Sequence, residues 1–292
     1  MDFEAWRKHI DQVVADDGQW LGVLDEDGWP LMDLPLASSV KASEVKLGPG
    51  SLEVTVPLRG GIGGRVARDL VADDVLAEDG AGRLVPSNGP TRLVCVARGG
   101  ERRAYLISHV HVEGGDPPKT VTIYGADFLE GLAWWPCPSI PLDWQQAKFA
   151  TWDTDASGEK YAKPRQLAQL KFADQADGYT KKGPARTVIR DLIQDSFDAV
   201  NPMKGWQDDD HAVVDYSGGV DTSRQVLIRT DDSYVWDTVS APAKNAGVGI
   251  QVDLWWPGDG EVTVRTQDRQ STQKMSWSYP IQIVRVETTR EV

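Results

Sequence analysis

Cysteine is scarce in this sequence: Cys95 and Cys137 are the two present among 292 residues. One disulfide is the most they could form. The opening stretch, MDFEAWRKHIDQVVADDG, has no basic segment leading into an apolar one, so no secretion signal is read there. Both cysteines are therefore expected as reduced, buried or half-buried thiols in a protein made in the cytoplasm. No Cys/His cluster has zinc spacing. No apolar run approaches the roughly 18 residues that span a bilayer, so no helical membrane segment is expected. Positive charge is also short, with 31 Lys and Arg against 44 Asp and Glu and a net charge of -13. That balance disfavours tight binding to nucleic acid, which needs cations to displace counterions. The glycine run GGIGG (Gly60–Gly64) is not followed by Gly-Lys-Ser/Thr, and Ser139 lacks a Gly-x-Ser-x-Gly elbow. Neither a phosphate loop nor a serine nucleophile is indicated.

Tryptophan, by contrast, is abundant. Its 12 residues are half of all Phe, Trp and Tyr. Two adjacent pairs occur, Trp134-Trp135 and Trp255-Trp256. Adjacent residues on a strand point to opposite faces. One indole of each pair is thus expected in a core and the other at a contact with another domain or subunit, where Trp is favoured. These four are the interface candidates.

The hydrophobic pattern divides the chain into three segments. Residues 1–133 begin with a short helix over 3–15 and continue as antiparallel β. SLEVTVPL places Leu52, Val54, Val56 and Leu58 on one face, and three further strands lie between Arg92 and Asp127. Residues 134–205 open with Pro136, Pro138 and Pro141, read as a rigid extended linker, and become polar and more helical. The best helix is PARTVIRDLIQDSFDAVNP. Pro184 stands at its start, Val188, Ile189, Leu192, Ile193 and Phe197 share one face, and Asn201-Pro202 is its expected stop. Residues 206–292 mix strands with one helix, DDSYVWDTVSAPAKNAG, acidic at its start and stopped by Gly247. The fold class expected is α+β and β-rich, with two β-barrel-like modules joined through a partly helical insert.

Two patterns suggest metal ligation, and each has an ordinary alternative. In WDTDASGEKY, Asp153, Asp155 and Ser157 alternate before Gly158, as a calcium loop begins. Counting Asp153 as the first position, the twelfth is Pro164 rather than a bidentate Glu, and a polar turn is the better reading. His109 and His111 share a strand face, which is half of a metal site with no third ligand in view. Asp208, Asp209, Asp210 and His211 read as a solvated acidic loop. No spacing selects a catalytic pair, and neither a catalytic residue, a cofactor nor a metal is expected.

LVCVARGGERRAYLISHVHVEGG followed by VTIYGADFLEGL resembles the first β domain of tail-hub proteins, the tail-associated or minor tail proteins of long-tailed bacteriophages. A "G-x-D-x-x-x-x-L" segment then leaves the β module, here Gly125, Asp127 and Leu132. GPARTVIRDLIQDSFDAVNP is similar to the helix of the inserted part of that fold, and DDSYVWDTVSAPAKNAGVGIQVDLWWPGDGEV to its later helix–strand–hairpin segment. The PCPSIPLDW run resembles minor tail proteins of actinobacterial phages. The resemblance implies a structural virion protein in a homotrimeric hub ring at the tail tip, or baseplate. Its partners would be a distal tail protein, the tape measure and tip or receptor-binding proteins, and DNA would pass without specific binding. Many relatives continue into a receptor-binding or enzymatic region, and a chain ending at Val292 implies that those tasks fall to other proteins. The competing readings are a Trp-rich carbohydrate-binding or host-surface-binding tail module, a distal tail adaptor, and a hydrolase with dispersed carboxylates.

Overall fold

The computed structural model describes residues 3–43, 45, 47–58, 65–66, 69–70, 80–83, 90–114, 119–173, 179–206 and 210–289. The fold is α+β and β-rich, with several sheets and few helices. Two compact units are present. The first comprises Met1–Glu130, Val252–Asp259 and Trp277–Pro280, and the second comprises Gly131–Gln251, Gly260–Ser276 and Ile281–Val292.

In the first unit, helix α1 (Phe3–Asp17) precedes β1 (Gln19–Leu24), β2 (Pro30–Asp33), β3 (Ser39–Ala42), β4 (Ser51–Pro57), β5 (Leu93–Arg98), β6 (Glu101–Glu113) and β7 (Thr120–Asp127). The strands form one sheet in the order β2-β1-β5-β6-β7-β4-β3. Leu52, Val54 and Val56 of β4 do share the inner face, where they meet Val23, Val94, Val96, Tyr105, Val121 and Ile123 in one apolar cluster. Strands β1 and β5 are buried on both faces. Their alternate residues Trp20, Leu24, Leu93, Cys95 and Ala97 pack instead with Ile10 of α1. This explains why QWLGVL and LVCVA read as continuous apolar runs rather than alternating ones.

The expected barrel-like closure is corrected. A closed barrel needs its first and last strands to hydrogen-bond. Here the sheet edges are β2 and β3, each of four residues, and they are not paired. The sheet is open, although side chains from all seven strands contribute to the inner cluster.

The second unit contains the rest of the described elements. Helix α2 (Pro141–Trp144) is followed by β8 (Ala150–Thr154), β9 (Lys160–Leu167), β10 (Thr180–Pro184), α3 (Ala185–Lys204), β11 (Ala212–Asp215), β12 (Gln225–Arg229) and α4 (Val235–Ala246). Then come β13 (Val248–Trp255), whose last four residues count with the first unit, β14 (Val262–Arg265), β15 (Thr272–Met275) and β16 (Ile281–Thr288). The sheets are β8-β9, β10-β12, β14-β15 and β11-β16-β13, with β11 parallel to β16. Val188, Ile189, Leu192, Ile193 and Phe197 are all buried, so the apolar stripe of α3 is its core face.

Four local expectations change. Helix α3 runs past Asn201-Pro202 to Lys204, where Gly205 ends it at φ 77°. A proline so close to the C-terminal end removes one backbone bond without stopping the last turn. The helix α4 has no side-chain cap at Tyr234, because Asp232 accepts from the Ser139 backbone N–H (2.7 Å) and hydroxyl (2.8 Å) instead. Residues 142–205 hold three strands as well as helix. The proline segment is not a free linker. Pro136 bridges Tyr234, the Cys137 N–H donates to the Ser233 carbonyl at 2.8 Å, and the Val235 N–H donates to the Trp135 carbonyl at 2.8 Å. Pro136 and Pro138 lack donors at alternate positions, and Cys137 and Ser139 supply them in between.

The three sequence segments also differ from the two units. The insert and most of residues 206–292 fall in one unit, while 252–259 and 277–280 fall in the other. The run GGIGG and residues Asp208 and Asp209 lie outside the described residues.

Candidate functional site

Asp195 is the most enclosed carboxylate in a dense polar cluster of the second unit, with a side chain 2% exposed. It stands on α3 with Asp191 and Asp198, at spacings of four and three residues that share one helix flank. Arg265, at the end of β14, donates to Asp195 at 2.6 Å and to Asp198 at 2.8 Å. Lys181 of β10 lies 3.0 Å from Asp195 and 3.1 Å from Asp191. The Tyr179 hydroxyl donates to Asp195 at 2.7 Å, and the Tyr216 hydroxyl donates to Asp191 at 3.1 Å.

Burial alone opposes ionisation of Asp195, but the Arg265 and Lys181 cations outweigh it and hold the carboxyl below its ordinary range. Burial raises the Tyr216 phenol, and it also raises Tyr179, where Asp195 adds to the effect. Both tyrosines are therefore neutral donors. A carboxylate kept ionised among matched cations makes a poor proton shuttle. What the cluster does chemically is tie α3 to β10, to β14 and to the residue after β11. The i, i+4, i+7 acids of RDLIQDSFD were the signal for it, but their cationic partners are remote in sequence.

A second polar centre lies in the first unit, around Trp256. Its indole N–H donates to the Gly28 carbonyl at 3.0 Å, and its ring meets Phe3 edge-on. The Arg102 guanidinium lies 4.0 Å from the ring centroid. Asp259 accepts from the Trp256 backbone N–H at 2.7 Å and pairs with both Arg7 and Arg102. Gly258 adopts φ 91°, and a Cβ there would lie 2.8 Å from the Arg7 guanidinium, so the turn requires glycine.

The predicted residues are dispersed. Trp255 is buried against Trp277, and Trp256 is fully buried. Neither ring of that pair is exposed. Trp256 follows the end of β13, so strand alternation does not govern it. In the other pair, Trp134 is 70% exposed and edges Tyr234, whereas Trp135 is half-buried against Phe197. Neither residue lies in a strand.

Asp153, Asp155 and Ser157 belong to the β8–β9 hairpin. One Asp155 oxygen accepts from the Ser157 N–H (2.8 Å), the Ser157 hydroxyl (2.7 Å) and the Glu159 N–H (3.1 Å), while Gly158 adopts φ 87°. This is a hydrogen-bonded Asx turn. His109 stacks on Tyr124 at 4.5 Å, and His111 lies near Glu113. Asp210 accepts from Asn201, and His211 packs on Trp206. Among the described residues, no group of three His, Cys, Asp or Glu is placed to hold a metal. Cys95 and Cys137 are free and buried, and burial pushes their thiols up to about 12 and about 11.

Gly125 and Asp127 of the motif stand at the end of β7. A Cβ on Gly125 would lie 2.7 Å from the Leu106 carbonyl. Asp127 accepts from the Gly50 N–H at 2.8 Å and the Leu129 N–H at 3.1 Å, closing the strand end onto the loop before β4. Leu132 is buried at the end of the 3-10 turn Phe128–Ala133.

No family model matches the sequence, and no curated protein does. Among solved structures, the chain is similar to a tail protein from Neisseria meningitidis MC58, with TM-score 0.36 and 10% identity, covering 89% of this chain and 68% of that one. It is also similar to the 43 kDa tail protein of prophage MuSo2 from Shewanella oneidensis, with TM-score 0.32 and 14% identity. That match covers 80% of this chain and 52% of the other, so the chain spans about half of that protein's length.

Proposed function

We propose that the chain is a structural virion protein of a phage tail, a subunit of a homotrimeric hub ring at the tail tip. In this role it joins the distal tail to the tip complex and frames the DNA exit path without catalysis or a cofactor. The observation that carries the reading is the closure at the end of β7. Gly125 and Asp127, residues of the tail-hub resemblance, share a structural task there: close backbone passage and a latch onto Gly50. The dense pairing around Asp195 suits a scaffold better than a proton-transfer site. The net charge of -13 suits a wall that DNA passes without adhering. Imaging of assembled tails tests the proposal. Three copies in a ring at the tip are expected, and six-fold occupancy, a single copy or a position elsewhere overturns it.

Trp134 favours a second reading. It is 70% exposed beside Tyr234, which is 44% exposed, with ring centroids 6.3 Å apart. Two such rings could stack on sugars of a host surface. Binding on a glycan array that disappears in Trp134→Ala supports this reading, and no binding removes it.

A further inference from the structure

The β8–β9 hairpin has no buried residue in either strand. The two strands pair with each other and contact principally each other. A two-stranded hairpin with no covering layer is marginal in water, so the arm has surface to offer outside its own chain.

Its two faces differ in chemistry. Thr151 opposes Gln166 on one face, and the Gln166 amide donates to the Thr151 hydroxyl at 2.7 Å. On the other, Trp152 opposes Arg165 and Ala150 opposes Leu167. The Arg165 guanidinium lies 4.5 Å from the Tyr161 ring centroid, which brings Tyr161 to this second face. Trp152 and Leu167 are 37% and 38% exposed. Trp, Tyr and Arg are the side chains that concentrate binding energy at protein contacts. Strand β9, KYAKPRQL, carries Lys160, Lys163 and Arg165 and no acid.

We propose that the Trp152–Tyr161–Arg165–Leu167 face docks on the acidic surface of a second copy of this chain. Charge complementarity selects that occupant. Strand β9 is cationic on a chain of net charge -13, its Lys160, Lys163 and Arg165 balanced within the arm by Asp153, Asp155 and Glu159 of β8 and the turn, and each copy exposes carboxylates such as Asp11 and Asp17 on α1 and Glu26 and Asp27 in the β1–β2 turn. Steering and register come from the cations, while residence comes from the Trp and Leu contacts. The contact would supply a homotypic interface for the hub ring, and it rests on that reading only for the number of copies.

Sedimentation of the full chain over a concentration series tests the docking. The wild type is expected to self-associate, and raising salt from about 50 mM to about 500 mM should weaken the association as screening shortens. Trp152→Ala and Arg165→Glu should each weaken it about tenfold or more, with thermal melts unchanged because neither side chain is in a core. A further variant replaces residues 150–167 with a short Gly/Ser loop, and it should stay folded and monomeric. A wild-type monomer at about 100 μM in low salt overturns the proposal. So does association that all three variants retain, an outcome that leaves the hub reading open. Association lost in the variants, by a chain that assembled tails nevertheless lack, supports the arm and sinks the hub.

Discussion

Helix α3 and the β8–β9 hairpin belong to the same unit, yet the helix buries twelve residues and the hairpin none. Each contains a carboxylate held by several donors. Asp195 is met by Arg265, Lys181 and Tyr179, and Asp155 by two backbone N–H groups and a serine hydroxyl. The number of bonds is similar, but the consequence is not. In water each bond replaces one to solvent and gains little. Inside the unit, a missing partner leaves charges that water cannot reach. Burial therefore decides which carboxylate the fold depends on.

Asp195→Ala should have one of the two largest effects among the single changes. It leaves Arg265, 5% exposed, and Lys181 without their closest shared anion. Breaking a buried ion pair in this way costs about 3–5 kcal/mol. Asp198 still lies 2.8 Å from Arg265, which places the cost near the lower end. Urea unfolding at neutral pH measures it, and a loss under about 1 kcal/mol would make the cluster ornamental. Asp195→Asn sharpens the point through pH. The folded carboxyl is held below its ordinary value. Its stabilisation is therefore fully present above the unfolded value of about 4 and is lost as pH falls through the lower folded value. The wild type should exceed the Asn variant at pH 7, and the gap should narrow on acidification below about pH 4. A gap that is constant with pH would contradict the ionised assignment.

The same contrast applies to tryptophan. Trp256 is fully buried, with its N–H on Gly28, whereas Trp134 is 70% exposed. Trp256→Ala should cost about 3–5 kcal/mol, from lost burial and the cavity it leaves. Trp134→Ala should stay within about 0.5 kcal/mol in the isolated chain. If it matters, its effect belongs to tail assembly or glycan binding. Equal melting temperatures for the two variants would show that exposure misjudges one of them.

The sequence made the apolar parts of this contrast legible and hid the rest. The α3 stripe and the alternation of β4 are periodic because one face of each meets a core. The Gly247 stop was visible because φ 68° favours glycine. The hairpin had no such signal, since two exposed faces impose no period. The open sheet was equally hidden, because closure depends on whether β2 and β3 pair and not on how either is patterned. Asp191, Asp195 and Asp198 were recognisable as a helix flank. Their role was not, because Lys181 and Arg265 reach them from separate strands. Trp256 stands one residue beyond the end of β13, where strand alternation no longer applies.

Calcium marks the smallest expected effect and the sharpest test of the Asp155 side of the comparison. The alternation of Asp153, Asp155 and Ser157 invites a cation, but one Asp155 oxygen already accepts three donors of its own turn. Those donors lower the Asp155 carboxyl, with the Ser157 hydroxyl the largest contributor, so the turn stabilises its own anion. Pro164, at the position where a bidentate acid would complete the loop, lies in β9 and has no oxygen on its side chain. Thermal melts with calcium and with a chelator should superimpose, and Asp155→Asn should leave the midpoint almost unchanged. A calcium-dependent rise of several degrees that disappears in Asp155→Asn would show that the turn is a ligand cage, and that an exposed carboxylate can matter as much as a buried one.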